Sequence, residues 1–174
     1  MDFFEVVEKR YSHKEEFLPD PVPLEILERI AKAGLAAPTG INSQCVRLVI
    51  LPDRNALQPL CNVSPTIGLE TAPAAIALLT DRSVQTWKYN FEIEDYAAAA
   101  ENMLLAATAL GYVSVWLDGP FLLDENKQKA ALKVLNAPET YRLRVVLPIG
   151  LPCKSPSRRS KMPFNERVYY GKFP

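Results

Sequence analysis

Apolar positions along this chain follow two spacings that alternate. Phe3, Val6 and Val7 ahead of Arg10 keep a helical period, as do Leu24, Leu27, Ile30, Ala31 and Gly34 in a helix running to about Ala36. Pro23 suits the first turn of that second helix, where a proline forfeits no helical hydrogen bond. Between and after these lie aliphatic and β-branched runs at 46–51, 74–80, 113–117 and 143–149, which read as strands. Residues 53–61 read as a short helix limited by Pro59, 62–71 as irregular, and Asp124 as the cap of a helix to about Leu135. Residues 81–91 have no clear period and read as a short lid or an edge strand.

The segment 92–112 differs from the rest. From Tyr96 to Leu110 only Glu101, Asn102 and Thr108 interrupt an apolar run, and Glu94, Glu101 and Thr108 leave one narrow polar stripe. A helix apolar nearly all round is buried, and Gly111 stands where a left-handed cap would end it. The run is too interrupted to span a bilayer. Its alanines, Ala97 to Ala100 and Ala106, Ala107 and Ala109, allow another backbone to approach closely. The helix is therefore expected to be part core and part interface with a second copy.

Composition narrows the possibilities. With 174 residues, 48% of them hydrophobic, the chain can build one respectable core, so a single domain over 1–174 is expected. The formal net charge is zero, which gives no electrostatic support to nucleic-acid or membrane-surface binding. Cys45, Cys61 and Cys153 form no CxxC pair, so a disulfide framework or metal cluster is not expected, and reduced thiols in a cytoplasmic protein fit better. The start, MDFFEVVEKR, lacks the form of a signal peptide. His13 is the single histidine, which argues against metal or triad chemistry built on that residue.

Three stretches carry candidate chemistry. Arg10, Tyr11, Ser12, His13 and Lys14 place two cations about a hydroxyl, a set suited to phosphate, although a basic helix end in solvent has the same composition. Pro38, Thr39, Gly40, Ile41, Asn42, Ser43 and Gln44 form a polar loop between a helix and a strand, with Gly40 expected to relax the backbone. Residues 151–174 carry Arg158, Arg159 and Lys161 ahead of Phe164, Val168, Tyr169, Tyr170 and Phe173. That order suits an arm that reaches an anion and then packs on a partner; a frayed tail or a basic localisation signal reads equally well.

Taken in order, these segments resemble the FMN-dependent nitroreductase family along essentially the whole chain. Arg10, Ser12 and Lys14 match its R-x-S-x-R/K signature, and Pro38, Thr39, Asn42 and Gln44 its P-S/T-x-x-N-x-Q loop. Asn102 to Trp116 matches the long helix and G-x-x-S-x-W-like strand, and Gly150, Pro152, Arg159, Lys161 and Pro163 match its closing element. The resemblance implies an α+β fold, a three-layer α/β/α sandwich about a mixed, largely antiparallel sheet, in an intertwined homodimer with FMN at the interface. It also implies that Arg10, Ser12, Arg159 and Lys161 lie at the phosphate and ribityl chain, with Lys14 near the pyrimidine edge and Tyr11 among the cofactor-binding residues. Pro38, Thr39, Gly40 and Asn42 would come from the other subunit, with Gln44 of the same loop also binding the cofactor, while Trp116, Leu117, Asp118 and Gly119 would line the ring with backbone N–H groups near the reactive N5. In two places the chain departs from the pattern: Cys45-Val46 stands where relatives often have Pro-Trp, and 63–70 offers no recognisable second pyrimidine contact.

The function so implied is transfer of hydride from NADH or NADPH through FMN to a small flat acceptor such as a nitroaromatic or a quinone. A flavin carrier or sensor without turnover is the alternative from another class. Flavin breakdown, dehalogenation or heterocycle oxidation would keep the fold and change the reaction. Neither nucleic acid nor membrane is expected as a partner.

Overall fold

The structure is a computed structural model in which residues 1–84, 90–155 and 160–173 are described. Four strands, β1 (Val46–Leu51), β2 (Ala74–Asp81), β3 (Val113–Ser114) and β4 (Tyr141–Gly150), form one sheet in the order β1-β2-β4-β3. All three ladders are antiparallel, and a parallel bridge between Ser12 and Ser114 makes the sheet mixed. Every residue of β2 is buried, and its side chains alternate between two cores.

Ala74, Ile76 and Leu78 face α2 (Leu24–Leu35) and α5 (Glu92–Ala109). On the opposite side, Ala75, Ala77 and Leu79 face α3 (Arg54–Val63), α4 (Ile67–Thr71) and α7 (Glu125–Val134). Helices thus cover both faces of the sheet, giving the three-layer α+β sandwich. Gly34 brings α2 close to α5: a Cβ there would lie 2.6 Å from Met103 Cγ. Gly111, at φ 87°, ends α5 in the left-handed region. The short α1 (Phe3–Lys9) buries only Val6 and exposes Phe3 and Val7 on this chain.

Two irregularities position the site. Leu78 pairs with Val145 but Leu79 with Leu143, so Arg144 is the extra residue of a bulge. The bulge turns Arg144 to the α5 side beside Val145, where a regular strand would have pointed it away. The second concerns 113–117, expected as one strand. Ladder pairing covers only Val113 and Ser114, then resumes at Leu117, whose N–H and carbonyl both bond Val146 (3.2 and 2.9 Å). The shared register sets Val115 opposite Pro148, which has no N–H to donate. The strand therefore opens there and Trp116 is left half-buried.

Other expectations also need correction. Residues 62–71 are not irregular: α3 runs through Pro59 to Val63, and α4 follows, its Thr66 cap accepting from Leu69 N. Arg54 donates to the carbonyls of Leu69 and Ala72, satisfying the end of a helix too short to show a period. Beyond β3, Asp118 caps a one-turn helix, α6 (Gly119–Leu122), that no apolar period announced. The lid or edge strand expected over 81–91 falls partly on 85–89, outside the described residues; Asp81 ends β2 and 82–84 form a short 3-10 turn.

Candidate functional site

Asp2 and Glu5 form a reciprocal capping box that starts α1, and Arg10 closes it. Beyond Arg10 the chain is extended and lies parallel to β3: Ser12 bridges Ser114, and His13 N donates to Ser114 O at 2.9 Å. His13 is buried, its Nε2 donating to Glu16 O (3.0 Å) and its ring stacking edge-on against Phe17. With His13 turned inward, Ser12 and Lys14 on either side of it are exposed. Arg10 is partly exposed and reaches Glu101 of α5 at 3.5 Å.

The root of the C-terminal arm lies beside this segment. Leu18 N donates to Leu151 O (2.8 Å), Cys153 N to Glu16 O (3.2 Å), and Phe17 bridges Pro152. Lys161 is exposed, and Arg159 lies outside the described residues. Ser114 Oγ is the one buried side-chain polar atom without a hydrogen-bond partner among the described residues. An orphaned hydroxyl under a cationic, serine-bearing segment is a place where a ligand or ordered water completes the bonding.

Trp116 to Gly119 follow from the same strand. Trp116 Nε1 donates to Asp118 Oδ2 (2.8 Å), and Gly119 N to Asp118 Oδ1 (2.6 Å). Trp116 packs on Tyr96 of α5 with ring centroids 5.9 Å apart, and the Arg144 guanidinium sits 5.5 Å from the Tyr96 ring centre. Arg144 in turn pairs with buried Glu92 at 2.5 Å, and Thr80 Oγ1 donates to the same carboxylate.

Pro38, Thr39, Asn42 and Gln44 line a separate open cavity of about 550 Å³ with Gly34, Leu48, Asp95 and Ala99 among its other walls. The loop is strained where it was not expected to be. Ile41, Asn42 and Gln44 have φ of 50°, 56° and 48°, the left-handed region that side chains disfavour, whereas Gly40 does not. Gly40 is required for space instead, since a Cβ would fall 2.3 Å from the Phe91 ring. Asp95, buried on α5, holds the loop by accepting from Gly40 N (2.7 Å), Ser43 Oγ (2.6 Å) and Cys45 Sγ (3.4 Å).

The predicted residues thus fall into two groups held by one helix, the first at Glu101 and the second at Asp95. Six residues along an α-helix are about 9 Å of rise and roughly 240° of turn, so the groups meet α5 on different sides. Asp95, Glu92 and Arg144 escaped sequence reasoning. The signal available was that Glu92 and Asp95 lie off the stripe of Glu94, Glu101 and Thr108, on faces that must be buried.

These buried charges perturb their surroundings. Burial alone would raise the Glu92 carboxyl, but bonds from Arg144 and Thr80, with the charges of Arg144 and Arg82, outweigh it and hold it below the usual carboxylate range. Burial, reinforced by Asp95 and Glu92 against a bond from Ser43, pushes the Cys45 thiol up to about 11. Among the described residues no cluster of side chains could hold a metal ion, and no helix is long and apolar enough to cross a membrane.

A mixed sheet between helical layers, with a cation-bearing loop along one edge strand, defines a ligand-binding α+β protein. More particularly, the chain belongs to the Nitroreductase family, which its residues 7–65 and 66–151 match. It is 35% identical over 130 residues, 74% of this chain and 73% of the other, to a protein of Archaeoglobus fulgidus provisionally named NADH dehydrogenase/NAD(P)H nitroreductase. It is also 26% identical to iodotyrosine deiodinase of Thermotoga neapolitana, across 95% of each chain. Among solved structures, a provisionally assigned nitroreductase of Desulfovibrio desulfuricans, crystallised in complex with FMN, superposes with a TM-score of 0.80 at 26% identity. That match covers 98% of this chain and 97% of the other.

Proposed function

We propose that this chain is an FMN-dependent oxidoreductase that takes hydride from NADH or NADPH and delivers electrons to a small flat acceptor such as a nitroaromatic or a quinone. One observation carries the reading: the Ser12–Ser114 bridge joins the Arg10–Lys14 segment to the strand leading into Trp116–Gly119, with the unsatisfied Ser114 hydroxyl between them. The donor set fits the cofactor. Arg10 and Ser12, with Tyr11 alongside and Arg159 and Lys161 from the arm, supply cations and hydroxyls for a phosphate and polyol chain. Lys14 supplies positive charge for the pyrimidine edge, where reduction builds negative charge. Trp116, Leu117, Asp118 and Gly119 wall the ring.

FMN, when bound, supplies the ring that takes up hydride and gives up electrons, so the protein needs neither a nucleophile nor a histidine base. The chain's own work is to hold the phosphate, exclude water from one ring face and leave the other open to donor and acceptor in turn. Pro38, Thr39, Gly40, Asn42 and Gln44 meet α5 away from this group, which supports their serving a second copy's site. The reading therefore includes a homodimer of single-domain chains, each sending residues 151–174 onto its partner, in the cytoplasm, without nucleic acid or membrane.

The test is an absorption spectrum of the purified protein, repeated anaerobically after NADPH and then NADH. A yellow protein bleached by either nucleotide supports the enzyme and identifies its donor. A yellow protein that neither bleaches points to a carrier, and a colourless one that cannot be reconstituted with FMN overturns the reading. Because the chain is similar to an iodotyrosine deiodinase, halogenated phenols are worth assaying beside nitroaromatics and quinones. Within the same reading, Arg10→Ala removes one charge-assisted contact, worth about 1.5–3 kcal/mol, and should weaken FMN binding roughly 10- to 100-fold by fluorescence titration.

A further inference from the structure

Asp118 is committed at both carboxylate oxygens. Oδ2 accepts from Trp116 Nε1 at 2.8 Å and Oδ1 from Gly119 N at 2.6 Å, so the group cannot turn toward solvent without losing both bonds. Among the described residues no cation lies within ion-pair reach of it. Arg144, the cation tied to this turn through Tyr96 and Trp116, is already paired with Glu92 at 2.5 Å. The charge is felt nearby: the Tyr96 hydroxyl is held above its ordinary value by burial first, then by Asp118 and Glu92, against the opposing charge of Arg144.

We propose that Asp118 sets the reduction potential of the bound flavin, holding it low with a negative charge that no described cation pairs, fixed on the turn assigned to the ring in the FMN reading. This rests on the FMN reading above. A reduced flavin carries negative charge, so a fixed carboxylate beside it costs free energy in the reduced state and little in the neutral oxidised one. The carboxylate charge disfavours reduction and so opposes Lys14. A purely structural role, capping the one-turn α6, would predict no change in potential when a neutral acceptor replaces the carboxylate.

The measurement is the midpoint potential of the FMN-loaded protein against a reference dye, for wild type and Asp118→Asn. Titration with sulfite, which adds to oxidised flavin more tightly as the potential rises, gives a second readout. The proposal expects Asp118→Asn to move the potential in the positive direction and to tighten sulfite binding. An unchanged potential and sulfite affinity in a fully loaded Asp118→Asn protein would overturn it while leaving the FMN assignment intact. Failure of the wild type to take up FMN overturns both, and is seen before any variant is made. If Asp118→Asn sheds its flavin, Asp118→Ser keeps a neutral capping oxygen and must give the same positive shift; no shift there also overturns the proposal.

Discussion

Arg144 and Glu92 show how much a single extra residue in a strand can decide. The bulge brings the guanidinium into a layer of apolar side chains, where Glu92 meets it and Tyr96 covers it. A buried pair of this kind adds little net stability, but losing one partner leaves an unpaired buried charge. Arg144→Met should therefore destabilise the fold by about 3–5 kcal/mol, read from the urea midpoint. The same pair fixes the sign of an acid dependence. Because the folded Glu92 carboxyl is depressed below its unfolded value of 4.5, its contribution is fully present above that pH and is lost as pH falls through the folded value. In Glu92→Gln, stability measured across this acid range should fall less steeply than in wild type. The thiols divide just as sharply. Cys153 is exposed, whereas Cys45 is buried and held protonated, so iodoacetamide should modify Cys153 in the native protein and reach Cys45 only after unfolding, as mass spectrometry will show.

At the scale of elements, the loop 38–44 is held by α5 against its own backbone preference. Three non-glycine residues in the left-handed region cost free energy that bonds to Asp95 offset. Gly40→Ala would drive a methyl into the Phe91 ring just before α5, and should destabilise by about 1–3 kcal/mol in thermal unfolding. The helices and inner strands around this loop were legible in the sequence because their apolar periods are long and unbroken, as in α2, α5 and β2. Elements too short for a period, α4 and α6, were not, since Thr66, Arg54 and Asp118 define them through individual bonds. The gap in β3 was hidden for a different reason: it depends on Pro148, a residue distant in sequence that register alone places opposite Val115.

For the whole molecule, the resemblance named the candidate site residues, but no local pattern could show that α5 lies between their two groups or that Asp95, Glu92 and Arg144 pack beside them. What the separation means is a question about assembly. On this chain Phe3, Phe4, Leu24, Leu35, Ile41 and Ile93 are exposed, and so are Phe164, Tyr170 and Phe173 of the arm, Tyr170 by 85%. Every described residue from 160 to 173 is exposed, so that stretch of the arm contributes nothing to the core of its own chain. Apolar surface on that scale ordinarily marks an interaction site, and the proposed homodimer supplies one by laying each arm on its partner. Replacing Phe164 and Tyr170 with Glu leaves both cores untouched, so each monomer should remain folded by circular dichroism. In sedimentation velocity, however, the dimer expected of the wild type should give way to monomer. If Pro38–Gln44 of one copy completes the site of the other, FMN affinity should fall in parallel with dimer content. A double variant that stays dimeric and keeps its flavin would mean that the arm is not what joins the two halves of the site.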